Sequence, residues 1–356
     1  VGMRGLVLAA GEGSRLRPFT FSRPKHLIPL LGKPMIRYPI DDLVSAGVRD
    51  ISVVVGYFGG LIREALGDGG SFNARLKYIV QEERLGIAHA IYLAVEQGLV
   101  DGPFVVYLGD NILSNGIARY LENFIESGSE AYILLARVRD PSRFGVAVVR
   151  DGRVVKLVEK PREFVSDLAV VGVYFFRDPD LVAKAFKTLK PSWRGEYEIT
   201  ELIQWFIDNG YKVGFNLVDG WWKDVGTYEG LLEALYLLLD KTIGEVRGEV
   251  KGEVAGRVVV EEGAVVEGRV YGPAYIGRGV FIGAESIIEH YTSIEEKARV
   301  YSGSLSRSLV LGEATVDVGG LRLRDSVIGA KSIVRSRRGN QGEARLVISD
   351  YSIVEF

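Results

Sequence analysis

From Arg4 to about Arg137, short apolar runs alternate with stretches whose apolar positions recur every three or four residues. The runs at 5–10, 51–55, 76–80, 104–108 and 132–136 are rich in β-branched or aromatic residues and show no polar alternation, the pattern of strands buried on both faces. Between them, residues 35–46, 86–97 and 117–127 carry an apolar stripe and end at Gly47, Gly98 and Gly128, where a left-handed helix cap is expected. This alternation predicts an α/β domain with a Rossmann-like mixed, mostly parallel sheet and helices on both sides. Further on the pattern loosens. Runs at 146–149 and 154–158 flank Arg150-Asp151-Gly152-Arg153, a hairpin turn signal, and 170–176 reads as another strand. Residues 200–209 read as a helix capped by Thr200 and stopped at Gly210, and 227–239 as a last amphipathic helix.

Beyond Asp240 the period changes. Gly244, Gly248 and Gly252 fall among charges in a linker or the opening of a repeat. Then Ile276, Ile282, Ile288, Ile294 and Val300 recur every six residues, with Gly277 and Gly283 directly after the first two. A six-residue aliphatic period suits a left-handed parallel β-helix, in which each flat strand forms one side of a triangular prism and points one aliphatic side chain at the axis. Further matches at Leu311-Gly312 and Ile328-Gly329 predict roughly four coils. Residues 302–308 break the period, and 346–354 are expected to cap the open end. The expected domains are thus 3–240 and 241–356, with Val1 and Gly2 set aside.

The charges nearly cancel, 44 Lys+Arg against 46 Asp+Glu, so no basic field invites nucleic acid and a phosphate ligand must be met by local cations. With no cysteine there is neither disulfide nor thiol chemistry, and His26, His89 and His290 show no ligand spacing. No segment is apolar enough for a membrane span, so the expectation is a soluble, cytoplasmic protein.

The candidate chemistry is concentrated where the first strand ends. In Leu8-Ala9-Ala10-Gly11-Glu12-Gly13-Ser14-Arg15-Leu16-Arg17-Pro18, glycines fall at the strand-to-loop junction, where backbone N–H groups approach an anion, and Arg15 and Lys25 follow. A planar guanidinium and a point charge suit a nucleoside triphosphate. A dinucleotide fingerprint would need glycine where Leu16 stands, and the Gly-Lys-Ser/Thr ending of a Walker A loop is absent.

The loop, Arg15 and Pro24-Lys25 together resemble the signature of sugar-1-phosphate nucleotidyltransferases. Leu108-Gly109-Asp110-Asn111 and Trp222-Lys223-Asp224-Val225-Gly226-Thr227 are similar to the two metal motifs of the glucose-1-phosphate thymidylyltransferases within that family, and the β-helical tail suits their long type. Phe144-Gly145-Val146, Val158-Glu159-Lys160-Pro161 and Arg194-Gly195-Glu196-Tyr197-Glu198-Ile199-Thr200 resemble its sugar motifs. The resemblance implies that Leu8, Ala10, Gly11, Gly13, Gln81, Gly86 and Asp110 bind the nucleotide, and that Asp110 and Asp224 hold Mg2+. It further implies that Arg15 and Lys25 stabilise the triphosphate, that Asn111, Gly145, Glu159 and Glu196 contact the sugar, and that Lys160 and Arg194 bind its phosphate.

The implied reaction joins dTTP and glucose 1-phosphate to dTDP-glucose and pyrophosphate, for nucleotide-sugar biosynthesis, with the β-helix assembling a homo-oligomer. Gln81 can donate and accept toward a pyrimidine imide edge, which thymine and uracil share. Ala10 in place of a glycine and Gly86-Ile87-Ala88-His89 in place of Gly-Leu-Ala-Gln depart from the short-form pattern, and they keep a UTP-dependent uridylyltransferase open. Such an enzyme could also transfer acyl groups, for which His290, beside a hexad position, is the candidate base. A non-catalytic assembly subunit should lack Asp110, Asp224 or Arg15, and all three are present.

Overall fold

The computed structural model describes residues 2–336 and 340–356; Val1 and residues 337–339, the latter within the expected β-helix, lie outside it. The chain divides into two compact units, Val1–Glu12 with Ile36–Asp224, and Gly13–Met35 with Val225–Phe356.

In the first unit Arg4–Ala9 lies between Asp50–Val55 and Phe104–Leu108, and Arg75–Val80 extends the sheet beyond Asp50–Val55, all parallel. Leu168–Phe176 then adds to Phe104–Leu108 in the antiparallel sense and also pairs with Ala131–Arg137 and Gly145–Arg150. The sheet is therefore mixed, parallel where the alternation is strict and antiparallel where the pattern loosens. The predicted hairpin between Gly145–Arg150 and Arg153–Glu159 forms, its turn made by Asp151 and Gly152 with φ of 48° and 72°. Leu6, Leu8, Val106, Ile133 and Tyr174 pack against Ile91, Val182, Ile203 and Phe206 of three helices, Ile87–Glu96, Pro179–Phe186 and Ile199–Asp208. Periodicity left two short helices unmarked, Gly59–Leu66 and Pro179–Phe186. The second is set by its start: Pro179 occupies the first turn and the Asp178 carboxylate accepts from the Asp180 N–H at 2.8 Å.

Thr200 does not cap its helix. Glu198 holds the cap position and Thr200 lies in the first turn, which releases its hydroxyl to donate to Glu159.

In the second unit the chain beyond Lys241 coils into a parallel β-helix with three strand stacks. Among the described residues one stack runs from Glu245–Val246 to Val347–Ile348 and another from Glu249–Val250 to Ile353–Glu355, each of seven strands, which makes seven rungs rather than four. The stretch before residue 253 is already the first coil, and the last residues continue the stacks instead of forming a separate cap. The six-residue rhythm fails after Val300 because coil lengths differ. Phe281 pairs with Arg299, Arg299 with Thr315 and Thr315 with Ile333, steps of eighteen, sixteen and eighteen residues. An eighteen-residue coil is three hexads; here one position is lost between Val300 and Leu305 and another between Leu305 and Val310, which shifts the phase. The hexad residues Ile276, Ile282, Ile288, Ile294 and Val300 are all fully buried on the axis. Tyr291, Arg307 and Asp325 turn one corner with positive φ, so His290 sits at a corner as its position beside Ile288 implies.

Segment Gly13–Met35 folds onto this β-helix. Its hairpin Pro29–Leu30/Lys33–Pro34 turns through Leu31 and Gly32, with φ of 53° and 74°, and the Gly32 N–H donates to the Glu295 carboxylate at 2.9 Å. Burial pushes Glu295 up to about 7, against the opposing pull of the Ser293 hydroxyl and the Gly32 and Leu31 N–H groups. A carboxyl raised above its ordinary value stabilises the fold in its neutral form. That contribution is complete below about pH 4.5 and is lost as pH rises through 7. Unfolding free energy is expected to fall by an amount on the order of 3 kcal/mol between pH 4.5 and 8 from this group, and Glu295→Gln should remove that slope in denaturant titrations at the two pH values. Among the described residues no helix is long and apolar enough to cross a membrane.

Candidate active site

Four parallel strands end at one edge of the first unit's sheet, and the loops carrying the nucleotide motifs leave from it. Leu8 closes its register opposite Leu108 and Val54, and its carbonyl accepts from the Gly109 N–H at 2.8 Å, so Ala10-Gly11 and Gly109-Asp110 emerge side by side. Gly56, not singled out by its sequence, permits this packing: a Cβ there would stand 2.7 Å from the Ala10 carbonyl oxygen.

Gln81 follows the outermost of these strands and is 5 % exposed. Its amide nitrogen donates to the Gly86 carbonyl at 3.3 Å and lies 3.0 Å from His89 Nδ1. Burial lowers the His89 pKa, which favours the neutral ring with an accepting Nδ1. With both amide hydrogens directed to these partners, Oε1 is left to accept from an imide N–H. His89 thus sets the orientation of Gln81, a role its sequence position did not reveal. Gly86 has φ +96°, and a Cβ would stand 2.7 Å from the Tyr197 carbonyl oxygen, so the base motif rests directly on the segment bearing Glu196 and Glu198.

Asp110 and Asp224 are brought together by a two-stranded ribbon in which Asn111–Leu113 pairs antiparallel with Trp222–Asp224 and Asp224 stands opposite Asn111. Asn111, expected at the sugar, is 2 % exposed. Its Nδ2 donates to Asp110 Oδ1 at 2.9 Å, while its Oδ1 accepts from Trp222 Nε1 at 2.7 Å and the Gly172 N–H at 3.2 Å. In this structure Asn111 orients Asp110. Gly172 lies where the register of Leu168–Phe176 shifts, which turns its N–H toward Asn111, and a Cβ there would be 2.6 Å from Asn111 Oδ1. Two residues along, the buried Tyr174 phenol is pushed up by burial and by the charges of Glu159, Asp224 and Asp110. One phenol therefore feels the sugar-motif carboxylate and both metal-motif carboxylates, a convergence that a strand-interior tyrosine gives no sign of in sequence.

The donor chemistry at Asp110 and Asp224 is oxygen alone. Among the described residues no group of three or more His, Cys, Asp or Glu could cage a metal. Two carboxylates fit a hard divalent cation that takes its remaining ligands from phosphate and water.

Glu159 ends the hairpin. Its Oε2 accepts from the Thr200 hydroxyl at 3.1 Å, and its Oε1 is 3.5 Å from Arg194 and 3.9 Å from Lys160. Burial first and the neighbouring Glu198 second raise its pKa. A Cβ on Gly145 would stand 2.6 Å from Thr200 Cγ2 and 3.0 Å from Glu159 Oε2, so glycine lets the Thr200–Glu159 pair pack against this strand. Arg194, expected at the sugar phosphate, is held by carboxylates: Nη2 is 2.8 Å from both oxygens of Glu198 and 3.3 Å from Glu196. Its charge is balanced within the protein, and it fixes Glu159 and Glu196. Lys160 is exposed and has φ +41°, strain of the kind that marks functional positions.

Gly13, Arg15 and Lys25 belong to the second unit. Gly13 has φ +66°; a Cβ would stand 2.9 Å from the Thr20 methyl and 3.2 Å from the Lys25 Cβ and Cδ. Lys25 is 9 % exposed, on a short 3-10 turn. Arg15 is exposed and has no hydrogen-bond or ion-pair partner among the described residues. Its guanidinium lies over Gly226, where a Cβ would come within 2.8 Å of Nη2. Gly226 of the second metal motif is thus the seat of Arg15 of the nucleotide loop.

Residues 4–241 match the family described as nucleotidyl transferase. The chain is 40 % identical to a glucose-1-phosphate thymidylyltransferase of Streptomyces antibioticus over 99 % of both proteins. It is 39 % identical to the low-salt glycan biosynthesis nucleotidyltransferase Agl11 of Haloferax volcanii, over 98 % of this chain and 99 % of that one. A solved chain from Bacillus anthracis, assigned as a glucose-1-phosphate thymidylyltransferase, superposes with a TM-score of 0.63 at 38 % identity, covering 68 % of this chain and 98 % of its own.

Proposed function

The chain belongs to the nucleotidyl transferase family, and from that premise we propose that it transfers the dTMP moiety of dTTP to glucose 1-phosphate. The products are dTDP-glucose and pyrophosphate. The observation that carries this reading is the ribbon that sets Asp224 opposite Asn111, whose side chain is hydrogen-bonded to Asp110, so that the two carboxylates of the metal motifs lie on neighbouring strands.

In the reaction a phosphate oxygen of the sugar phosphate bonds to the α-phosphorus as the bond from that phosphorus to the bridging oxygen of the leaving pyrophosphate breaks. The nucleophile is already ionised, so the protein's work is alignment and charge neutralisation. Leu8, Ala10, Gly11 and Gly13 line the nucleotide, Gly86 supports the base, and Gln81 accepts from the base N3–H through Oε1. Arg15 and Lys25 take the triphosphate charge. Asp110, held by Asn111, and Asp224 would bind Mg2+, which supplies further charge neutralisation on the phosphates when present. Glu159, beside Gly145 and oriented by Thr200 and Arg194, accepts from sugar hydroxyls with Glu196 nearby. Lys160 meets the sugar phosphate.

We further take the enzyme to be cytoplasmic and homo-oligomeric, with catalytic residues 3–240 and an associating β-helix of 241–356, whose strands Val347–Ile348 and Ile353–Glu355 are the last of their stacks among the described residues.

A pyrophosphate-release assay across dTTP, UTP, ATP and GTP with several sugar 1-phosphates tests the reading. The fastest turnover is expected with dTTP and glucose 1-phosphate, and negligible turnover with the purines. A purine nucleotide as the preferred substrate would overturn it, and UTP ahead of dTTP would make the enzyme a uridylyltransferase.

A further inference from the structure

We propose that the β-helix is part of the nucleotide-binding apparatus: Asp350 of its last coil and Glu295 of a middle coil hold segment Gly13–Met35, and thereby act as positioning residues for Arg15 and Lys25. The inference rests on the assignment of those two cations to the triphosphate.

The segment has little regular structure of its own, and its internal hydrogen bonds are nearly all local, within single turns. Its regular structure is three 3-10 turns of three residues each and a two-residue hairpin. Such pieces have few internal hydrogen bonds, so a fixed conformation must come from outside. The second unit supplies four grips, all after Arg15 and on either side of Lys25. Near Arg15, the Tyr228 hydroxyl donates to the Leu16 carbonyl at 2.9 Å and also meets that of Arg17, while its ring packs on Phe19. The Ser349 hydroxyl donates to the Pro18 carbonyl at 3.1 Å.

Between the two cations, Ser22 donates to Asp350 Oδ2 at 2.7 Å, and Arg23 Nε and Nη2 each lie 2.8 Å from the same oxygen. The other Asp350 oxygen accepts from the Ala330 N–H at 2.8 Å, which ties the carboxylate to its own β-helix. Its side chain is 2 % exposed, so the Arg23 pair is shielded from competing water. After Lys25, Glu295 receives the tip of the hairpin at Gly32, against Tyr275. A Cβ on Gly32 would come 2.2 Å from the Tyr275 hydroxyl, so the tip is seated without slack.

Two buried carboxylates on a β-helix, each bonded to a loop more than 250 residues earlier, are more than a stack of coils needs for its own stability. What they determine is where the loop's backbone stands, and a displacement on the order of 1 Å at a substrate-positioning group can cost about a hundredfold in rate.

The test uses the full-length enzyme and steady-state kinetics with each substrate varied in turn. Asp350→Asn keeps the oxygen that serves Ala330 and loses the pair with Arg23; Arg23→Ala breaks the same pair from the loop side and leaves the β-helix untouched. Each is expected to lower kcat/KM for dTTP about tenfold or more with KM for glucose 1-phosphate changed less than twofold. The double variant should be no worse than the more damaged single, as two ends of one interaction require. Arg23→Lys should restore part of the loss. The proposal is overturned if both single variants keep kcat/KM for dTTP within twofold of the parent, or if the constants for both substrates fall together with the unfolding temperature. Arg15→Ala in the same series separates the premises: a harmless Arg15→Ala overturns the site assignment, whereas a damaging one beside a harmless Arg23→Ala overturns the positioning role alone.

Discussion

Arg15→Ala is expected to reduce turnover by about 10²- to 10³-fold, the usual consequence of removing one preorganised donor that faces developing negative charge. The side chain is exposed, has no partner among the described residues and rests over Gly226. It stabilises nothing that would be lost with it, so the melting temperature should stay within about a degree while kcat collapses. Lysine at this position should recover only part of the rate, because a point charge does not reproduce the planar fork of a guanidinium. The measurement is single-turnover pyrophosphate release beside a thermal melt. An Arg15→Ala enzyme with a rate within threefold of the parent would remove the arginine from the mechanism.

The second large effect is expected at the carboxylate pair. Asp224→Asn and Asp110→Asn should each cut kcat by about 10²-fold or more, equivalent to about 3 kcal/mol, and raise the concentration of Mg2+ needed for half-maximal rate. Asparagine preserves shape, and at position 110 its carbonyl can still accept from Asn111 Nδ2, so the substitution removes charge and leaves the ribbon intact. Binding of Mn2+ to the enzyme–dTTP complex, followed by its electron paramagnetic resonance signal, gives a readout independent of rate. Unchanged metal affinity in both variants would show that Asp110 and Asp224 are not the ligands.

Much of this protein is local in origin and therefore legible in its amino acids. Runs such as Phe104–Leu108 have no polar face, which leaves them one stable place, the middle of a sheet covered on both sides. Gly47, Gly98 and Gly128 adopt φ of 84°, 65° and 62° where the apolar stripes end, because a left-handed turn at a helix end needs no partner beyond its own chain. The six-residue rhythm from Ile276 to Val300 identifies a β-helix for the same reason. It misjudges the number of coils, since a sixteen-residue coil is as well buried as an eighteen-residue one but leaves no hexad behind.

The position of the loop motif after the first strand, and the order of the motifs that follow, are likewise properties of the sequence. What each residue does there is decided by contacts between distant segments. A cross-strand register sets Asp224 opposite Asn111, the neighbour of Asp110. Asn111 is hydrogen-bonded to the Gly172 N–H and Trp222 Nε1, and Arg194 is paired with Glu198, Glu196 and Glu159, partners that no motif in the sequence foretells. The segment carrying Arg15 and Lys25 lies at the beginning of the chain yet folds with its end, on Asp350 and Glu295. Hydrophobic period and turn chemistry act over a few residues and fix the elements; the pairing of polar side chains acts over a few ångströms in space, and only the folded chain determines which residues those ångströms join.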